Sequence, residues 1–207
     1  MCTESAWASA TLNRIRGLLA EFGFVLPNGA EQLPRQVPQF IDRLPAQVVR
    51  CVRDLLEHAE RLRSKALEYE REIRISVRDN ELARRAHTRP GIGSITASAL
   101  VATVGNGHDF KNGRQFSAWL GLVPRQYSTG GKTRLGHITK RGDPYLRTLL
   151  VIGARSVLQR AYRESDPLSR WALALQQRRG YHRACVAIAA KNARVAWALL
   201  AKGVSAA

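Results

Sequence analysis

Apolar side chains recur along this chain mostly at intervals of three and four, the spacing of one face of an α-helix. Thr11 to Phe24 carries Leu12, Ile15, Leu18, Leu19 and Phe22 on one face, and Gly23, Pro27, Asn28 and Gly29 close it in a turn. A linker with Pro34, Pro38 and Pro45 follows. Pro45 suits the first turn of the next helix, where a missing N–H forfeits no hydrogen bond. From there Val48, Val52, Leu55, Ala59, Leu62, Ala66, Tyr69 and Ile73 alternate spacings of four and three, the seam of a coiled coil. Glu57–Arg61 and Glu70–Arg74 add favourable pairs one turn apart. Such a stripe needs a cover. Thr11–Phe24, the same helix of a second chain, or both can supply it. The pattern continues from Leu82 to His87 and stops at Pro90.

Beyond Pro90, Gly91 and Gly93 open a turn, and Ser94 is placed to cap a helix carrying Ile95, Ala99 and Leu100, ended by Gly105. Pro-Gly-Ile-Gly followed by Ile-Thr-Ala and Ala-Leu resembles the helix-hairpin-helix motif, in which small glycines let backbone amides at a positive helix end approach a phosphate. The alternative is a turn that only joins two helices; the Thr-Ala spacing favours the DNA-contacting reading. A short helix with Phe116, Trp119 and Leu120 comes next, and the strand candidate is a hairpin across Gln126 to His137. Asp143-Pro144 and Asp166-Pro167 are two helix starts. The first heads Leu146, Leu149, Leu150, Gly153 and Val157; the second heads Leu168, Trp171, Ala174 and Leu175 and runs to Gly180. Tyr181 to Lys202 is a last, alanine-rich helix. Trp171 and Trp197 fall within apolar periodicity and read as core rather than as stacking platforms. The expected fold is mainly α, an extended coiled-coil arm plus a compact helical domain containing the helix-hairpin-helix motif. Its segments are 1–45, 46–88 and 89–207.

Charge sharpens the picture. A net charge of +17 and a pI near 11.1 call for a polyanion. A membrane surface is the competing explanation, but no apolar run approaches the roughly 18 residues of a spanning helix, and no signal peptide is visible. The expectation is a cytoplasmic, nucleic-acid-binding protein. Cys2, Cys51 and Cys185 are odd in number and widely spaced, which suits a reducing compartment. The five histidines form no ligand cluster, so no metal site is expected within the chain.

The candidate chemistry lies between Arg125 and Arg147. Tyr127, Ser128 and Thr129 sit in sequence among Arg125, Lys132 and Arg134, followed by Lys140 and Arg141. A hydroxyl that attacks a phosphodiester needs cations to offset the charge of the transition state. A basic loop that only grips a backbone is the plainer alternative. Arg147, in the first turns after Asp143-Pro144, is a candidate phosphate ligand. The run AWLGLVPRQYSTGGKTRLGHITKRGDPYLRTLLVIGAR resembles the carboxy-terminal transposase domain of insertion-sequence family one-hundred-and-ten, in its eleven-eleven-like branch. NRIRGLLAEFGFVLP and KNARVAWALL resemble the same family, in the same order.

Members of that family are DNA recombinases associated with a guiding structured RNA, so DNA and a guide RNA are the implied partners, along with a homodimer or higher oligomer through the coiled coil. They pair a RuvC-like domain, whose four acidic residues hold magnesium, with a domain that supplies a nucleophilic serine. On that pattern Ser128 is the nucleophile, with Thr129 the alternative register. Gly91, Gly93, Ser94, Arg125, Lys132, Arg134, Lys140, Arg141 and Arg147 are the phosphate ligands; the sequence identifies no general base, with His137 and the metal of the RuvC-like domain as the alternatives for that role. The chain begins where the RuvC-like domain should be ending, and Met1 to Ser9 reads like a replacement start on a truncated frame. This chain is therefore expected to need no cofactor of its own, since Mg2+ belongs to the missing domain. It is expected to bind nucleic acid without completing transposition alone. A non-catalytic remnant that competes with the intact enzyme is the rival.

Overall fold

Helix α1 runs from Thr3 to Glu21 in the computed structural model of the chain, which describes residues 3–203. It starts well before the expected Thr11. Ser5, Ala6, Ala8 and Ala10 extend the helix easily, and Thr11 Oγ1 donates back to the Trp7 carbonyl at 2.9 Å. Leu12, Ile15 and Leu19 form its buried face.

The proline-bearing stretch is folded rather than extended. Gln32–Gln36 forms a short helix, α2, and single 3-10 turns follow at Val37–Gln39 and Ile41–Arg43. Leu33, Val37 and Leu44 are buried in one cluster with Leu12, Ile15, Leu19, Val52 and Ala59, and Phe24 stacks on Phe40 at 4.3 Å between ring centres. Burying such side chains gains about 1.5–3 kcal/mol each, enough to order a segment whose composition alone reads as a linker. Helix α3 then spans Ala46–Asp79. Val48 and Val49 donate to the Pro45 carbonyl, so Pro45 stands just ahead of the helix. The seam is covered over its first half from within the chain, since Val52 and Ala59 share the core of α1.

The chain divides into two compact units at Glu72/Ile73, and the last turns of α3 belong to the second. The expected segment 46–88 is two helices. Asn80 leaves helical geometry, its side chain accepts from Ala83 N at 3.0 Å, and α4 (Glu81–His87) starts afresh. The second unit continues with α5 (Ser94–Val104), α6 (Gly113–Trp119), strands β1 (Pro124–Thr129) and β2 (Lys132–Ile138), α7 (Pro144–Arg160), α8 (Pro167–Arg179) and α9 (Tyr181–Lys202). Mainly α is therefore the observed class. Among the described residues the one sheet is the antiparallel β1–β2 pair. Phe116, Leu100, Leu146, Leu150, Leu158 and Ile188 are fully buried at the centre of this unit.

Asp143 and Asp166 cap α7 and α8 by accepting two backbone N–H bonds each, as their Asp-Pro signatures predict. Helix α9 is long and apolar enough in composition to cross a membrane, contrary to the expectation that no stretch is. Half of that window is buried inside the fold, with Cys185, Ile188, Ala196 and Leu200 in the core. Trp197 donates its indole N–H to Gly107 O at 2.9 Å and Lys191 lies 4.5 Å from the Trp171 ring, so both tryptophans are engaged within the protein.

Candidate nucleic-acid interface

The net positive charge falls in the second unit. Before Ile73 the chain has ten Lys/Arg and ten Asp/Glu; from Ile73 onward it has 23 Lys/Arg and only six Asp/Glu. The whole +17 thus lies on the part that carries every residue singled out for phosphate chemistry.

The turn between α4 and α5 is fixed from behind. Gly91 has φ +86°, and a Cβ there would meet Val157 Cγ2 at 2.8 Å and Asn192 Nδ2 at 2.9 Å, while a Cβ on Gly153 would overlap the Gly91 carbonyl. Gly91 therefore gives its freedom to packing on α7 and α9. Buried Asn192 donates to Pro90 O at 2.9 Å and accepts from Arg89 Nε at 3.0 Å. Burial lowers the pKa of the Arg89 guanidinium, and the Asp166 charge opposes that shift. Gly93 faces outward with nothing within 4 Å of its Cβ position. It, not Ser94, occupies the cap position of α5; Ser94 is the first helical residue, and no side chain caps that end. The cause is local: Gly93 is extended, at ψ 174°, before Ser94 enters the helix.

The β1–β2 hairpin carries Ser128. Gly130 and Gly131 both have positive φ (+56° and +77°), the requirement of a two-residue turn matched to strand twist. That turn sets the register: Thr129 pairs with Lys132, Ser128 with Thr133, Tyr127 with Arg134 and Gln126 with Leu135. Residues directly opposite share a face, and neighbours alternate. Gln126, Ser128 and Leu135 lie on one face, and Gln126 Nε2 donates to Ser128 Oγ at 2.7 Å across it. Tyr127, Thr129, Lys132 and Arg134 lie on the other, with the Tyr127 ring over Gly136. Every β1 residue is exposed. The Ser128 hydroxyl is accessible. Lys132 and Arg134, two of the cations expected to surround it, are on the reverse side.

The remaining basic residues belong to the foot of the hairpin. Thr139 N donates to Val123 O at 2.9 Å and Lys140 N to Gly121 O at 3.2 Å. A Cβ on Gly142 (φ +80°) would overlap the Trp119 carbonyl, so the two legs touch backbone to backbone. Arg147 Nη1 donates to Leu120 O at 3.1 Å and Arg141 O at 3.2 Å, and Arg125 Nη2 donates to Thr139 O at 3.3 Å. Arg147 thus fastens α7 to the end of α6 and the foot of the hairpin, and Arg125 ties the two legs of the hairpin together. Lys140 and Arg141 are exposed, and Lys140 holds the left-handed conformation at φ +55°. His137 is exposed on β2. Sequence reasoning missed Arg89, Gln126 and the Gly91–Gly153 contact, since each depends on a neighbour distant in sequence or on strand pairing.

Residues 83–169 match the Transposase IS116/IS110/IS902 family. Through them the chain belongs to it. It is 43% identical over 199 residues to the "Probable family 20 transposase" of Pseudomonas aeruginosa, covering 94% of this chain and 59% of that protein. It is 41% identical over 202 residues to the transposase for insertion sequence element IS1111A of Coxiella burnetii (94% and 54%). It is likewise 41% identical over 193 residues to the transposase for insertion sequence element IS1328 of Yersinia enterocolitica (92% and 58%). The chain spans a little over half the length of these transposases.

The transposase match opens within α4 and closes in the first turn of α8, so it takes in the turn, the hairpin and α7. Asn192, which locks the turn from behind, lies beyond it on α9. The magnesium implied by family resemblance finds no fitting ligand set here: among the described residues no three His, Cys, Asp or Glu side chains are grouped to hold an ion.

Proposed function

We propose that this chain grips DNA and supplies the nucleophile in an insertion-sequence recombination reaction. One observation carries the reading: the charge-bearing unit projects a hairpin whose Ser128 hydroxyl is exposed and oriented by Gln126. Ser128 Oγ forms a bond to a backbone phosphorus, the P–O bond to the leaving sugar oxygen breaks, and the serine proton is lost as that oxygen gains one. The phosphoserine link conserves the bond energy for rejoining without a nucleotide cofactor. The uncapped amides beside Gly93 and Ser94, at the positive end of α5, hold a phosphate of the same DNA in the helix-hairpin-helix manner. Lys140 and Arg141 bind the backbone at the foot of the hairpin. A guide RNA and self-association through α3 belong to the same proposal.

A binding-only role is favoured by a separate observation. Lys132 and Arg134 face away from Ser128. Lys140 lies beyond Thr139, seven residues along the chain from Thr133, the partner of Ser128, roughly 23 Å at strand rise. With Lys132 and Arg134 on the opposite face, neither of these two cations offsets charge at Ser128, and neutralisation from another domain or chain fits this binding-only reading. A nicked suicide DNA substrate, incubated with and without an added RuvC-like domain, separates the readings. The expected result is a denaturant-stable adduct that Ser128→Ala abolishes and Thr129→Val keeps. The reverse pattern moves the nucleophile to Thr129, and no adduct under either condition leaves binding alone.

A further inference from the structure

Lys132, Arg134 and Tyr127 lie on the side of the hairpin that Ser128 does not use. Tyr127 is 59% exposed, Lys132 and Arg134 are exposed, and the Tyr127 ring lies across Gly136 on the same side. An isolated two-stranded hairpin is marginal in water, and this one has no apolar cover on either side of β1. Its two sides differ in chemistry. The serine side presents Gln126, Ser128 and Leu135, with no formal charge. The reverse presents two basic side chains beside an aromatic ring, the combination that tracks a phosphodiester chain and stacks on a base.

We infer that the reverse side of the hairpin is a second nucleic-acid site, which holds a phosphodiester strand other than the one Ser128 attacks. A strand lying against Ser128 occupies one side of a ribbon only one backbone thick, and its phosphates cannot also reach side chains that point the opposite way. Charge complementarity fixes the class of occupant as a polyanion, and the adjacent aromatic favours a strand with an accessible base. The hairpin thus acts as a divider between two strands. That division rests on Ser128 marking the reactive side.

Photo-crosslinking tests the inference without requiring the reaction to occur. A benzophenone amino acid replaces Tyr127 in one sample of the full chain and Leu135 in another, both exposed positions on opposite sides. Each protein is irradiated with a DNA duplex whose strands carry different dyes, together with a second duplex bearing a third. The expected result is that the two positions label different strands. Labelling of the complementary strand, or of the second duplex, at position 127 tells which source the reverse side takes. Lys132→Gln/Arg134→Gln should cut labelling from position 127 at least tenfold and leave labelling from 135 within about threefold, because both phosphate-binding cations of one side are then neutral. Labelling of one strand segment from both positions overturns the inference, as does absence of nucleic acid at position 127 or indifference to the charge changes. Failure of the Ser128→Ala adduct test removes the nucleophile but does not alter these outcomes.

Discussion

Glycines in this chain do two different jobs, and substitution separates them. Gly142→Ala forces a Cβ into the Trp119 carbonyl at a positive φ, so it should lower stability by about 2 kcal/mol or more. Gly93→Ala meets nothing within 4 Å and should change stability by about 0.5 kcal/mol at most. Denaturant midpoints at unchanged m-value report both. Lys140 is the complementary case, a side chain in left-handed backbone where glycine would be at ease. Lys140→Gly should stabilise the fold by about 1 kcal/mol, the left-handed penalty less the freedom a glycine loses on folding. The same change should weaken DNA binding. A variant gaining both stability and affinity would contradict the assigned role. At this scale the sequence showed which residue types were present but not their direction. Arg125 and Arg147 are turned onto backbone carbonyls, a fact set by the clasp around Gly121 and Gly142.

Among the elements, helix ends are where local chemistry decides, and those were legible in advance. Asp143→Ala removes two N–H acceptors from the start of α7 and should cost about 1 kcal/mol. Asp166 has its carboxyl pKa lowered, chiefly by the Ser169 side chain and then by backbone N–H donors. A carboxyl lowered on folding stabilises the native state above its unfolded value, and the benefit disappears as pH falls from about that value, 3.8, through the folded one. An acid titration followed by circular dichroism should show that loss in the wild type and a smaller one in Asp166→Asn, which keeps an acceptor but does not titrate.

The starts of α7 and α8 and the end at Gly180 were readable because a cap needs only its nearest neighbours. The order of Pro34–Pro45 was not, because Leu33, Val37 and Leu44 become a core only when α1 and α3 are already beside them. Strand pairing stands between these cases. Gly130-Gly131 implies a two-residue turn, and that turn already places Ser128 and Lys132 on opposite sides.

Across the whole molecule, net charge is partitioned between the two units. DNA binding should show a log–log salt dependence that Lys140→Gln/Arg141→Gln lowers by about 1.8, near 0.9 for each phosphate neutralised. Arg61→Gln/Arg63→Gln, in the balanced first unit, should leave the slope unchanged, and titrations at several salt concentrations measure both. Ten charges of each sign before Ile73 have another effect. Any assembly built through that segment meets no net Coulomb barrier, so it should form equally well in dilute buffer and in brine. Raising the salt would then release the nucleic acid first and leave the chains still joined to one another.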